Sequence, residues 1–283
     1  MKSKKNLKIK LKKKYNKSIK TKQYGGKLSS NDFRFFTVTL DDRSEKFNYF
    51  TKLSGKLLSM NLKLEKFLGI DTRKLDTRIL ELMPNLSQFI DNNKGNIGDN
   101  YYTVYKDNIL KRKSLGSLGT CLSHLYIYKQ MLQDNIQNLC IFEEDAIIND
   151  DFRVKLDKLL SNLPKDWDII YLGMSCDYNH DDRCHKNDNL EEVKPNLYKI
   201  KYSYGTYGYI ININGVKKIL PNIYPIWWHI DTLLSNLMVQ NIINAYCYIP
   251  NIIFHPGTFK ISSNNYLMHM DYDGYESSLK TLK

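Results

Sequence analysis

The sequence has no long apolar stretch. None of its segments approaches the roughly 18 consecutive apolar residues that a transmembrane helix needs. The start of the chain also has no run of about 7 to 15 apolar residues, which would form the core of a secretory signal peptide. From these two absences we expect a protein that is cytoplasmic or peripheral to a membrane.

Acidic residues are absent from the beginning of the chain. Residues 1–31 contain twelve lysines and no Asp or Glu, and these lysines account for the whole formal net charge of +12. The remainder is formally neutral, which argues against a nucleic-acid-binding fold, because such a domain concentrates Lys and Arg on its own surface. We predict that residues 1–31 form a disordered basic tail, which either contacts an anionic surface or only aids solubility.

The common nucleotide-binding and metal-binding signatures are also missing. There is no G-x-G-x-x-G and no G-x-x-x-x-G-K-[ST], so neither a Rossmann dinucleotide site nor a P-loop is supported. The five cysteines include no C-x-x-C pair, and the loop from Cys176 to His185 matches no zinc spacing. In a chain without a signal sequence we expect these cysteines to be reduced and buried.

The most informative stretch is an apolar run that ends in three carboxylates. Leu139–Phe142 is typical of a buried strand, and ligands bind beyond the carboxyl ends of strands in open α/β sheets. Because residues i and i+2 of a strand face the same side, Glu143 and Asp145 could face one divalent cation while Glu144 faces away. The alternative is a solvated acidic loop or helix N-terminus.

A β-α-β pattern precedes this stretch. Phe33 to Leu40 predicts a strand, and Leu64 to Ile70 predicts a second one. Between them, Glu45 to Met60 predicts an amphipathic helix whose buried face carries Phe47, Phe50, Leu53, Leu57 and Leu58. Arg43 and Asp71 follow the two predicted strands and are candidates for nucleotide contacts, although turns and surface ion pairs also use such residues. Residues 76–113 predict a loop-rich insertion.

Two predicted helices carry further candidates. The glycine-flanked segment that begins at Gly116 leads into a helix that ends near Asp134, and helix N–H groups can bind an anion. His124 could contact a phosphate there, or it could be a structural residue. Asp231 is predicted at the N-cap or in the first turn of a later helix, where an acid serves as a cap or as a catalytic base.

In this order the motifs resemble glycosyltransferase family 25, which contains lipooligosaccharide β-galactosyltransferases and procollagen hydroxylysine galactosyltransferases. The resemblance covers roughly residues 33–255. It rests on Leu40-Asp41-Asp42-Arg43, Gly116-Ser117-Leu118-Gly119 with Ser123-His124, Phe142-Glu143-Glu144-Asp145, Trp167-Asp168, Tyr204-Gly205 with Gly208-Tyr209, and Ile230-Asp231.

The resemblance implies an α/β fold of the GT-A type, with a mostly parallel central sheet flanked by helices over residues 32–260 and a C-terminal extension over 261–283. It implies an inverting, metal-dependent hexosyltransferase that moves galactose or glucose from a UDP-sugar to a hydroxyl acceptor. The acceptor would be a glycan, a lipid-linked sugar or collagen-like hydroxylysine. No specific nucleic-acid partner is expected.

The resemblance also implies roles for particular residues. Glu143 and Asp145 would bind Mn²⁺ or Mg²⁺ together with His255, or with His269 in its place. Asp231 would deprotonate the acceptor hydroxyl. Glu144 stands where the family has Asp. The implied contacts with the nucleotide sugar are Leu40, Arg43, Asp71, Ser123, His124 and Glu144.

Two other functions fit the same residues. Clustered carboxylates at a strand end also serve metal-dependent nucleotide or phosphate hydrolases. A non-catalytic binding protein could instead keep the fold with a decayed site, and the basic tail would then tether it to an anionic partner.

Overall fold

The computed structural model describes residues 28–40, 44–72, 76–82, 115–174, 190–203, 205–223 and 229–255. Several predictions lie outside these ranges. They concern the tail up to residue 27, Arg43, most of the insertion after residue 82, the loop from Cys176 to Cys184, His269 and the C-terminal extension.

The strands and helices alternate along the first part of the chain. A short 3₁₀ turn, Ser30–Asp32, precedes the first strand. The strands are β1 Arg34–Thr39, β2 Leu64–Leu68, β3 Asn138–Glu143, β4 Ile147–Ile148, β5 Ile169–Gly173, β6 Leu190–Lys194, β7 Leu197–Ile200, β8 Gly208–Asn212, β9 Ala245–Tyr248 and β10 Ile253–Phe254. The helices are α1 Ser44–Ser59, α2 Thr77–Leu82, α3 Leu115–Gln133, α4 Phe152–Leu160, α5 Ile213–Ile219 and α6 Ile230–Val239.

Eight of these strands form one sheet in the order β2-β1-β3-β8-β5-β9-β7-β6. β2, β1 and β3 are parallel neighbours, whereas β8 lies antiparallel between β3 and β5. β9 is parallel to β5, and β7 is antiparallel to both β9 and β6. The α/β class with a central sheet and flanking helices is confirmed, and it is consistent with the GT-A type. The sheet is mixed because β8 and β7 run against the other strands.

Helices cover both faces of the sheet. Alternate residues of β3 point to opposite faces. Leu139 and Ile141 pack with α3, α5 and α6, while Cys140 and Phe142 pack with α1 and α4. This two-sided cover explains why β3 is a continuous apolar run rather than an alternating one. No helix in the described ranges is long and apolar enough to cross a membrane.

The parallel register brings three strand ends to one edge. Thr39 of β1 pairs with Leu68 of β2, and Val38 pairs with Glu143 of β3. Because β8 runs in the opposite direction, its first residue, Gly208, lies at the same edge beside Phe142. The ends of β1, β2 and β3 and residues 205–207 before β8 therefore meet around the acidic triplet.

The predicted element boundaries need three corrections. Residues 28–31, which were assigned to the tail, belong in part to the folded body, since Ser30 is buried and its N–H donates to Asp157 Oδ1 at 2.6 Å. The predicted loop-rich insertion contains helix α2. Leu58, predicted on the buried face of α1, is 67% exposed, while Leu53 and Leu57 are buried as predicted.

Candidate active site

Glu143 is the last residue of β3, and its carboxyl group is hydrogen-bonded to the segment before β8. Its Oε1 accepts a hydrogen bond from Thr206 Oγ1 at 2.6 Å, and its backbone N–H donates to the carbonyl of Tyr207 at 3.2 Å. Burial raises the pKa of this carboxyl to about 7, an effect that the Thr206 hydroxyl partly opposes. The negative charges of Asp145 and Asp231 raise this pKa further, and His255 lowers it.

Asp145 and His255 lie side by side. Their Oδ2 and Nε2 atoms are 3.2 Å apart, and the side chains are 19% and 42% exposed. The small sheet of β4 and β10 brings these two residues together. β4 follows the triplet and pairs antiparallel with β10, which ends at Phe254, next to His255. The His255 ring also lies against Tyr207, with ring centroids 6.1 Å apart.

Asp231 lies in the first turn of α6, as predicted, and both of its carboxylate oxygens accept backbone N–H groups. Oδ1 accepts from Thr232 at 2.6 Å, and Oδ2 accepts from Gly205 at 3.0 Å. Gly205 has a φ of 78°, a left-handed conformation that favours glycine. The carboxylate therefore binds an N–H in the first turn of its own helix and one in the segment before β8.

The predicted metal-ligand set is only partly assembled. Across the described part of the chain, no three His, Cys, Asp or Glu side chains form a group that could hold a metal ion. Asp145 and His255 are in contact, whereas the Glu143 carboxyl is bonded to Thr206. A carboxylate beside an imidazole is nevertheless a ligand pair that Mn²⁺ accepts, so these two residues fit the predicted metal chemistry.

Glu144 lies in the turn that follows β3, and its carboxyl group contacts the end of β1, whereas that of Glu143 is hydrogen-bonded to Thr206. Its Oε2 accepts from Thr39 Oγ1 at 3.2 Å, at the end of β1. Leu40 and Asp71 follow β1 and β2 at the same edge, and both are partly exposed. These three predicted nucleotide-sugar contacts are therefore grouped on one side of the triplet.

Ser123 and His124 are too deeply buried to make the nucleotide contacts predicted for them. Ser123 is 1% exposed and His124 is fully buried, so neither side chain is open to a donor. α3 begins at Leu115, which places His124 well inside the helix rather than near its start. His124 Nδ1 lies 2.7 Å from the hydroxyl of Tyr209, and burial lowers the pKa of the imidazole to about 4.

The Ser123 side chain hydrogen-bonds to the backbone of the segment that follows β2, at the edge of the candidate site. Its Oγ donates to the carbonyl of Gly119 at 2.6 Å and accepts the N–H of Ile70 at 2.7 Å. Gly119 permits this approach, because a Cβ atom there would lie 2.7 Å from the carbonyl oxygen of Ile70. α3 thus holds the segment after β2 in place and, with it, the neighbouring Asp71.

Sequence reasoning missed Thr39, Gly205 and Thr206 as site residues. Gly205 was noted only as part of the Tyr204-Gly205 motif, and Thr206 fell at an unassigned position of the same motif. The available signal was a small hydroxyl residue beside a glycine, just before a predicted strand. That signal is common in turns, so it does not identify a site by itself.

The fold and the site together define a class of protein. An α/β sheet covered on both faces, with carboxylates at the carboxyl ends of parallel strands, is an architecture that binds nucleotides and related ligands at that edge. The profile of glycosyltransferase family 25 (LPS biosynthesis protein) matches residues 32–234, which is well over half of the chain. The chain belongs to this family.

The similar curated proteins carry related names. A "Glycosyltransferase 25 family member" from Aedes aegypti is 27% identical over 189 residues, which cover 65% of this chain and 27% of that protein. "Procollagen galactosyltransferase 1-A" from Xenopus laevis is 36% identical over 111 residues, which cover 37% of this chain and 17% of that protein. "Inactive glycosyltransferase 25 family member 3" from Mus musculus is 26% identical over 208 residues, 69% of this chain and 30% of that protein. The chain therefore spans less than a third of each relative.

Proposed function

We propose that this chain is an inverting glycosyltransferase that moves a hexose, galactose or glucose, from a UDP-sugar to a hydroxyl acceptor with the help of Mn²⁺ or Mg²⁺. One observation carries the proposal. Glu143, Asp145, His255 and Asp231 come from three separate segments and meet at the carboxyl edge of the parallel strands. All but His255 lie inside the family match.

Asp145 and His255 would hold the metal ion. When bound, such an ion neutralises charge on the diphosphate of the donor. His255 would bind the ion only with Nε2 unprotonated, and this nitrogen would then no longer donate to Asp145. Leu40, Asp71 and Glu144 would line the nucleotide side, and Arg43, outside the described residues, would complete it.

Asp231 would act as the base. A carboxylate in its position takes the proton of the acceptor hydroxyl as that oxygen attacks the sugar. Its two backbone N–H partners hold the carboxylate in place. The acceptor is proposed to be a glycan, a lipid-linked sugar or a collagen-like hydroxylysine, in line with the name of the Xenopus laevis relative.

A binding protein without turnover is the second candidate. It is favoured by the mouse relative that is named inactive, which matches a larger share of this chain than either of the other two relatives. A chain of this kind would keep the sheet and bind a nucleotide sugar, but it would not transfer the sugar.

The test measures UDP release from UDP-galactose and UDP-glucose, with and without Mn²⁺ and with and without an acceptor. Suitable acceptors are a hydroxylysine peptide and a galactose-terminated glycan. We expect release that requires both the metal and one acceptor. Equal release without any acceptor would indicate a hydrolase, and Mn²⁺-dependent UDP binding without release would indicate the binding protein.

Variants of two nearby acids sharpen this test. Asp145→Asn should weaken Mn²⁺-dependent UDP binding in calorimetry by about tenfold or more, because it removes a charged ligand. Asp150→Asn is the matched control, since Asp150 is 97% exposed and pairs only on the surface with Lys56. Equal binding by both variants would contradict the metal assignment.

A further inference from the structure

The segment between β7 and β8 is tied to α6 at two points. Ser235 Oγ accepts the N–H of Ser203 and donates to the carbonyl of the same residue, each at 3.0 Å. Two residues further on, the N–H of Gly205 donates to Asp231 Oδ2. Ser203 and Gly205 are therefore both hydrogen-bonded to the first half of α6.

The next residue, Thr206, ties the same segment to the triplet. Its side chain is buried, the residue being 4% exposed, and its hydroxyl donates to Glu143 Oε1 at 2.6 Å. The carbonyl of Tyr207 then accepts the backbone N–H of Glu143. Two consecutive residues, Gly205 and Thr206, thus connect the first acid of the triplet to Asp231.

From this geometry we infer that Thr206 is a positioning residue, whose hydroxyl sets the place of the Asp231 carboxylate relative to the acidic triplet. The inference rests on the proposed function, because that function gives Asp231 the role of base. Thr206 does not touch the reacting groups. It acts through Glu143 on one side and through the backbone of Gly205 on the other.

The burial of Thr206 makes its hydroxyl hard to replace. A hydrogen bond to an ionised carboxylate is stronger than one between neutral groups, and solvent cannot readily substitute for it at a buried position. Loss of the hydroxyl should let the segment shift, and an ångström-scale shift of a catalytic group is costly.

The experiment compares three variants of the full chain. Thr206→Val removes the hydroxyl and keeps the shape, and Thr206→Ser restores a hydroxyl. Thr37→Val is the matched control, because Thr37 is also fully buried and its hydroxyl has no hydrogen-bond partner in the described structure. The readouts are kcat and donor KM with UDP-galactose, and hydrogen exchange of the amides in residues 203–207.

For Thr206→Val we expect kcat to fall by about tenfold or more, with donor KM within about twofold of the wild-type value. Thr206→Ser should recover most of kcat, and Thr37→Val should match the wild type. A wild-type kcat in Thr206→Val would overturn the inference. So would a Thr206→Ser variant that is no better than Thr206→Val, because the hydroxyl would then not be the cause.

Hydrogen exchange separates this inference from the proposed function. If the wild-type chain turns over neither UDP-galactose nor UDP-glucose, the proposed function fails but the structural link can still be measured. Exchange of the 203–207 amides should then be faster in Thr206→Val than in Thr206→Ser and Thr37→Val. Equal exchange in all three variants would overturn the inference independently of activity.

Discussion

Single side chains near the triplet divide into those that face the open edge and those that support it from within. Glu144 and Asp145 are partly exposed, whereas Ser123 and His124 of α3 are buried in the core. The Ser-His pair therefore has a structural role in this chain. It places the segment after β2 and packs against Tyr209 of β8.

His124 should make the free energy of unfolding depend on pH. Its pKa is lowered to about 4 from an ordinary value of 6.5, so the unfolded chain binds a proton first as the pH falls. The stability that depends on neutral His124 is complete above pH 6.5 and is lost as the pH falls toward 4, by on the order of 2 to 3 kcal/mol.

Urea unfolding at pH 7 and near pH 4.5 checks this prediction. The wild-type protein should lose more stability between the two conditions than a His124→Gln variant, in which this group no longer titrates. Other titrating groups are common to both proteins and cancel in the comparison. An equal loss in the two proteins would show that His124 is not the cause.

At the scale of elements, β10 lies unusually close to the main sheet because two glycines make room for it. A Cβ atom on Gly173 would lie 2.1 Å from the carbonyl oxygen of Ile253, and one on Gly208 would lie 2.4 Å from Ile253 Cδ1. This close approach brings His255, just after β10, to Asp145. The glycines therefore position the candidate metal pair without contacting it.

Alanine at either glycine should destabilise the protein by about 1 to 3 kcal/mol, since overpacking forces atoms to shift. The loss of stability caused by Gly208→Ala should be smaller in an Ile253→Ala background, because the added Cβ atom clashes with the Ile253 side chain. The cost of Gly173→Ala should be unchanged there, because its clash is with a backbone oxygen. Denaturant unfolding of both double-mutant cycles measures the coupling energies, and equal coupling for the two glycines would refute the account.

For the molecule as a whole, the folded body includes residues just before β1. The side chain of Asp32 accepts hydrogen bonds from the N–H and hydroxyl of Ser29, and Ser30 is bonded to Asp157 of α4. These contacts connect the chain before β1 to α4, which packs on one face of the sheet.

Two truncations should therefore differ in stability. The protein without residues 1–31 should have a free energy of unfolding about 1 to 2 kcal/mol lower than the protein without residues 1–27. The longer deletion removes the N–H of Ser30, which donates to the carboxylate of Asp157. Thermal or urea unfolding of both proteins measures the difference. Equal stabilities would mean that residues 28–31 contribute nothing to the fold.

Several elements could be predicted from sequence because their signals are local. The amphipathic spacing of Leu53 and Leu57 predicted α1, and the apolar run before Glu143 predicted β3. The helix that carries Asp231 was also predicted within two residues of its start. β6 was not predicted, since its residues are mostly exposed and give no apolar pattern.

Composition, periodicity and motif order are read along the chain, and they were enough to predict the α/β class, the strand that ends in Glu143-Glu144-Asp145 and the likeness to glycosyltransferase family 25. The contact of Asp145 with His255, the hydrogen bond between Glu143 and Thr206 and the burial of Ser123 and His124 are visible only in the folded chain. These contacts depend on the antiparallel insertion of β8 beside β3 and on the return of β10 to β4. Pairings between residues so distant in sequence are set by packing of the whole sheet, which no local pattern encodes.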